Sequence, residues 1–296
     1  MSPRSRPPAQ ELLGAHVSIQ GGVQTAPARG AAIGASAIQI FTKTPNQWRE
    51  PEIGPETADA FATAMADSNL VSVVSHDSYL INLASPVEEL SIRSTTSFVM
   101  ELQRCSRLGI PGIVSHPGNY IDERLPGIVR NAARITEALR TVPGTVMVYL
   151  ETTAGTGTAL GATFEELAAI REEVASDVRD RVGFCADTCH LYSAGYDLVG
   201  DYDGVWDAWE KTIGLQHLRC LHLNDSKTPF DSHRDRHELI AEGSLGKGPF
   251  QRIMTDPRFT GIPKLLETPK GDDEVTNDRK MLRRLRGYAR AGRRNA

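Results

Sequence analysis

The stretch "VGFCADTCHLY" at 182–192 starts as an apolar, β-prone run and ends in Asp187, Cys189 and His190, three possible metal ligands. Seven further β-prone runs also close on something polar: "LLGAHVSI" (12–19), "AIQIFT" (37–42), "VSVVSHDS" (71–78), "GIVSHPG" (112–118), "VMVYLETT" (146–153), "LRCLHLND" (218–225) and "IPKLLET" (262–268). With 182–190 they make eight strands, separated by longer stretches of helical composition. Ser85-Pro86 followed by Glu88 and Glu89 predicts a helix start, and Gly109 its stop. Thr163 with Glu166 in "TFEELAAIREEV" is a capping box. Eight strands alternating with helices predict an α/β fold, a single (β/α)8 TIM barrel. Right-handed crossovers keep such strands parallel, and the working groups collect at their carboxyl ends. No linker divides the chain, so the expected layout is a flexible N-terminal tail at 1–11, one barrel domain at 12–285 and a basic C-terminal tail at 286–296.

A chain of 296 residues with 40% apolar and 24% charged residues can bury a full core. "MSPRSRPPAQ" (1–10) has two Arg and no apolar run behind them, and no stretch reaches the roughly 18 apolar residues of a membrane span. A cytoplasmic protein with no membrane partner is expected. Cys105, Cys185, Cys189 and Cys220 have no Cys-x-x-Cys spacing, which predicts reduced, buried thiols. A net charge of −4 argues against a broad basic face for nucleic acid. The run "RKMLRRLRGYARAGRR" (279–294) reads as a solvated helix end.

In a barrel the polar strand ends share one mouth. His76 closes the third strand, His116 the fourth, Glu151 the fifth, Asp187 and His190 the sixth, His222 the seventh and Glu267 the eighth. Burying so many ionisable groups together without a compensating cation costs many kcal/mol. The loop "HRDRHELIAEGS" (233–244) adds Asp235 and His237, two residues apart and able to chelate one ion. Imidazole and carboxylate without thiolate suit Zn²⁺ or Mn²⁺ in a catalytic site. Nine ligands exceed one ion and suit two or three with a bridging carboxylate, a geometry that clamps phosphates.

The motifs "GAHVS" (14–18), "HDSYLINL" (76–83), "HPG" (116–118), "ETTAG" (151–155), "DTCH" (187–190), "HLNDSK" (222–227), "DRH" (235–237) and "LLET" (265–268) occur in order from about residue 12 to 268. In these the chain resembles endonuclease IV, the apurinic/apyrimidinic endonuclease family with a trinuclear zinc site in a TIM barrel. The resemblance implies that His76 and His116 hold one zinc, bridged by Glu151 to a second. The second is completed by Asp187, His222 and Glu267, and the third is held by His190, Asp235 and His237. Cys189 is then a packed neighbour. The implied substrate is duplex DNA with abasic sites or blocked 3′ ends. The implied reaction is hydrolysis of the phosphodiester 5′ to an abasic site, giving a 3′-hydroxyl and a 5′-deoxyribose phosphate. Glu151 and Glu267 are the catalytic carboxylates, the first holding the bridge and the second orienting or deprotonating water. Four site carboxylates give −4 and three Zn²⁺ give +6, so a filled site is formally +2, which answers the charge objection. The family also implies a monomer.

Tyr79 matches a DNA-contacting tyrosine of the family. Asn46, in "FTKTPNQWRE" (41–50), stands where some members carry an inserting arginine, and Ala241 stands where a glycine before Glu242 is common. His16 reads either as a residue that orients a ligand or as a hydrogen-bonded structural histidine. His217 and His233 match no ligand position, and Trp206 and Trp209, three apart on a helix, read as packing. The main rival is a single-metal sugar isomerase or epimerase, because Glu151, Asp187, His222 and Glu267 also form that quartet. Such an enzyme has no use for His76, His116, His190, Asp235 or His237. A damage-binding protein without turnover predicts a missing ligand, and none is missing.

Overall fold

The computed structural model describes residues 11–295. Seven strands come first: β1 (Leu13–His16), β2 (Ala37–Phe41), β3 (Ser72–His76), β4 (Gly112–Ser115), β5 (Met147–Glu151), β6 (Val182–Asp187) and β7 (Leu218–His222). A two-stranded antiparallel excursion follows, β8 (Asp225–Ser226) with β9 (His237–Glu238), and then β10 (Lys264–Leu266). β10 and β1 to β7 close into one parallel barrel, with β10 between β7 and β1. The helices are α1 (Ala26–Ala32), α2 (Pro55–Asp67), α3 (Glu88–Leu108), α4 (Arg124–Thr141), α5 (Phe164–Glu173), α6 (Thr188–Ser193), α7 (Tyr202–Thr212), α8 (Gly248–Ile253) and α9 (Glu274–Asn295). This is the expected (β/α)8 architecture. Among the described residues no helix is long and apolar enough to cross a membrane.

Alternation along each strand sorts side chains into two cores. One alternate set meets inside the barrel: Ala37, Val74, Val114, Tyr149, Cys185, Cys220 and Leu265. The other packs outward under the helices, where Trp206 and Trp209 are fully buried against Phe259, Phe164 and Phe184. Gly112 has no Cβ because Tyr149 crosses the interior there; a Cβ would lie 2.1 Å from the Tyr149 ring. Two residues beyond the inner layer along each strand come Gln39, His76, His116, Glu151, Asp187, His222 and Glu267. The period of two thus carries the apolar floor straight into a polar mouth.

The helix signals hold with adjustments. Gly109 ends α3 with φ +68°, and Thr163 Oγ1 accepts from Glu166 N–H at α5. Ser85 instead accepts from Val87 N–H, and α3 begins at Glu88, two residues after Pro86, the expected first helical position. The sixth run corrects one expectation: the strand stops at Asp187 and residues 188–190 are helical. Asp187 is the N-cap of α6, its Oδ1 accepting from His190 N–H at 2.9 Å. A carboxylate aimed at free helix N–H groups ends the strand. At the other terminus α9 runs unbroken through the 285/286 position where a tail was expected to begin, and Tyr288 and Ala289 pack on the core. Residues 1–10 of the expected N-terminal tail lie outside the described residues.

Candidate metal centre

All nine sequence-predicted ligands meet at the carboxyl ends of the strands. They fall into three groups whose donor atoms approach one another within 4.8 Å: His76, His116 and Glu151; Glu151, Asp187, His222 and Glu267; and His190, Asp235 and His237. Glu151, fully buried at the end of β5, is shared. Its Oε2 lies 3.2 Å from His76 Nε2 and 3.1 Å from His116 Nε2, and its Oε1 lies 2.8 Å from His222 Nδ1 and 3.4 Å from His190 Nδ1. Glu267 Oε2 is 3.3 Å from His222 Nδ1. Asp235 reaches His190 Nε2 and His237 Nε2, both at 3.2 Å. Asp187 Oδ2 faces His237 Nε2 at 3.7 Å, so the α6 N-cap joins the second and third groups.

The imidazoles are oriented from behind. His76 Nδ1 faces the Asp77 carbonyl at 2.9 Å, His190 Nδ1 the Thr152 carbonyl at 2.8 Å, and His237 Nδ1 the Glu267 carbonyl at 3.2 Å. A carbonyl only accepts, so each Nδ1 carries the proton and each Nε2 is turned to the centre. The Nε2 atoms of His190 and His237 are buried without a hydrogen bond. Buried nitrogens left open beside carboxylates fit divalent cations, and the all-N/O set fits borderline-hard ions such as Zn²⁺ or Mn²⁺.

Two positioning groups escaped the sequence reading. Gln39, wholly buried on β2, donates from Nε2 to Glu267 Oε1 at 2.5 Å, and its Oε1 accepts from His222 Nε2 at 2.8 Å. Asn224 donates to Asp187 Oδ2 at 2.5 Å and accepts from Glu267 N–H at 2.9 Å. The available signal was a polar side chain on the inward face of a strand. His16, open at the sequence level, lies with Nδ1 3.4 Å from Glu267 Oε1 and 3.0 Å from Gln39 Nε2.

Electrostatics follow from crowding. Burial opposes the charge on His76, but the hydrogen bond and charge of Glu151 outweigh it and raise the imidazole to about 9. His237 is likewise raised to about 9, burial being overcome by Asp187 and Asp235. Burial would push Glu151 up, but His222 and His116 hold it well below the usual carboxylate range.

The remaining predicted residues lie around the mouth. A cavity of about 640 Å³ is lined by His16, Phe41, Tyr79, His116, Glu267 and Lys270, among others. Tyr79 is 70% exposed at its rim with its ring edge-on to Phe41 at 5.2 Å. Asn46 is exposed beside Pro45, which lines the cavity. Cys189 is buried, His217 is half-buried at the start of β7, and His233 is exposed with Nδ1 3.2 Å from the Ala154 carbonyl.

Fold and donor set define a (β/α)8 barrel enzyme with a cluster of candidate metal-binding groups at the carboxyl ends of its strands. A family profile described as xylose isomerase-like TIM barrel matches residues 27–286. A probable endonuclease 4 of Geobacter sulfurreducens is 47% identical, the match covering 89% of this chain and 90% of that one. One from Chloroflexus aggregans is 44% identical over 94% and 98%. The crystal structure of endonuclease IV from Thermus thermophilus superposes with a TM-score of 0.83 at 34% identity, covering 94% of this chain and 99% of that one. The chain belongs to the endonuclease IV family.

Proposed function

We propose that the protein is a DNA-repair endonuclease. It hydrolyses the phosphodiester 5′ to an abasic site in duplex DNA, leaving a 3′-hydroxyl and a 5′-deoxyribose phosphate, and it acts on blocked 3′ ends by the same chemistry. The observation that carries this reading is the assembly of nine imidazole and carboxylate groups into three donor groups linked through Glu151 and Asp187. A sugar isomerase uses only the second group.

In this reading His76, His116 and Glu151 would hold one Zn²⁺ ion, Glu151, Asp187, His222 and Glu267 a second, and His190, Asp235 and His237 a third, with Mn²⁺ as an acceptable substitute. When bound, such ions supply charge that offsets the phosphate and lower the pKa of water towards about 7. The chain's residues do the rest. Glu151 spans the first two groups and fixes their separation. Glu267, held at Oε1 by Gln39 and facing His222 Nδ1 with Oε2 at 3.3 Å, would orient the attacking water and take its proton. Tyr79 and Asn46 stand on two loops at the rim, where an extruded abasic nucleotide would be stabilised from the minor groove.

The test is incision of a labelled duplex containing one tetrahydrofuran abasic analogue, which cannot undergo β-elimination, by protein of measured metal content. A 5′-side cut with a 3′-hydroxyl, lost in His116→Ala, is expected. An intact duplex with a fully metallated protein overturns the reading and turns the search to sugar phosphates.

A further inference from the structure

Below the mouth, the inner layer of the barrel contains two thiols that the DNA chemistry does not use. Cys185 on β6 and Cys220 on β7 are register partners, both fully buried and both free. One donor atom from each of Cys185, Cys220 and His222 lies within 4.8 Å of the others. A single ion with metal–sulfur distances near 2.3 Å and metal–nitrogen distances near 2.0 Å spaces its donors about 3.5 Å apart, so binding draws the three side chains inward from within their 4.8 Å limit. Two buried thiols alone are ordinary core; the imidazole within reach makes them a donor set.

We propose that Cys185, Cys220 and His222 form a binding site for a soft, thiophilic cation such as Cd²⁺, directly beneath the metal centre. Thiolate ligands select soft ions, whereas the nitrogen and oxygen groups above suit harder ones. The surroundings, Ala37, Val74, Val114, Tyr149 and Leu265, are apolar or aromatic, so charge must balance locally. It does: a divalent cation displaces two thiol protons to solvent, two metal–sulfur bonds and one metal–nitrogen bond form, and the cluster stays neutral. His222 also belongs to the group of Glu151, Asp187 and Glu267. A soft ion seated on the thiols therefore withdraws His222 from that group, and the two sites compete. Burial of all three side chains makes entry slow. The site stands on the thiol pair and is independent of the DNA-incision reading.

The experiment adds Cd²⁺ to the metal-loaded protein and follows thiolate-to-cadmium ultraviolet absorbance together with metal content. The expected band develops slowly, saturates at one Cd²⁺ per chain, and is absent from Cys185→Ala and Cys220→Ala. It persists in Cys189→Ala, whose thiol lies in a different group with Asp187 and His237. Far-UV circular dichroism checks the fold of each variant, and Cys220→Val, closer in volume, repeats the test. No band in the unsubstituted protein, or a band that survives loss of Cys185 or Cys220, overturns the proposal.

Discussion

Gln39 holds two proposed ligands with one amide: its N–H bonds Glu267 and its carbonyl receives His222. Gln39→Leu keeps most of the volume and removes both bonds, leaving His222 Nε2 unsatisfied in a buried site. Loss of a group that orients metal ligands typically costs about 10–100-fold in metal affinity or activity. Equilibrium dialysis and kcat/KM for abasic duplex should both show it, and unchanged values would refute the role. Ala241 makes the opposite point. Its φ of +62° lies in the left-handed region, in a loop wrapped around the Asp225 carboxylate, which accepts from Gly243 and Leu245 N–H. A side chain there costs about 1–2 kcal/mol, while glycine's extra unfolded-state freedom costs about 0.5–1 kcal/mol. Ala241→Gly is therefore expected to stabilise by about 0.5–1 kcal/mol and raise Tm by about 2 °C. A lower Tm in differential scanning calorimetry would show that the loop has already relaxed around alanine. The sequence flagged Ala241 by its departure from a glycine pattern. It gave no such signal for Gln39, because an uncharged amide in "AIQIF" belongs to no ligand motif and only the barrel register turns it inward.

The element that bears Asn46 is a loop pinned by buried charge. Lys43 Nζ donates to Glu50 Oε1 at 2.6 Å and to Ser97 Oγ at 2.8 Å, while Arg104 on α3 pairs with Glu50 Oε2 at 2.8 Å. Ser78, one residue before Tyr79, donates from Oγ to the Pro45 carbonyl at 2.5 Å, which ties the two rim loops together. Glu101 sits behind both, accepting from Ser78 N–H, with Lys43 and Arg104 only at 3.7 and 3.9 Å. Those long contacts do not offset burial, which together with the Asp77 charge raises Glu101 to about 8. The folded state thus keeps a proton that the unfolded chain, near its ordinary value of about 4.3, has lost. Stability from this group is complete below about pH 4.3 and declines as pH rises to about 8. Glu101→Gln keeps the hydrogen bond and removes the titration. Urea midpoints between pH 5 and 9 should move in favour of the variant with rising pH and level off above about 8; parallel profiles would exclude the buried-acid explanation. At this scale the strands and their order were legible, because β-prone runs and turn residues are local signals. The α6 start was not: "ADTCH" continues a β-prone composition, and only the Asp187 carboxylate on His190 N–H turns the chain. The β8–β9 excursion was also hidden, since two-residue strands carry no periodicity.

For the molecule as a whole, the balance lies between a chain of net charge −4 and a mouth that gathers four carboxylates with five imidazoles. Seven of the nine proposed ligands were legible once the strand ends were assigned to one rim, and Asp235 and His237 from their spacing in the loop after the seventh strand. Their sharing through Glu151 is a property of the closed barrel, which brings His76, His116, His190 and His222 from four elements onto one carboxylate. That sharing has a thermodynamic consequence. His76 and His237, each raised to about 9 by neighbouring carboxylates against the pull of burial, carry a proton at pH 7.5 in the metal-free protein. A cation taking Nε2 must displace that proton, so metal binding releases protons, and apparent affinity climbs with pH until about 9 and then flattens. Isothermal titration of chelator-stripped protein with Zn²⁺ at pH 7.5, in buffers of different ionisation enthalpy, should give a heat that varies linearly with the buffer. The slope counts the protons released. Ions that bind the folded state alone would each add about 2.7 kcal/mol of stability at 100 times the dissociation constant. Stripping should therefore lower Tm, and the drop should shrink at acidic pH, where protons compete for the same nitrogens. A heat independent of buffer would mean that the imidazoles are already neutral before the metal arrives, and that the carboxylates are compensated by some other cation.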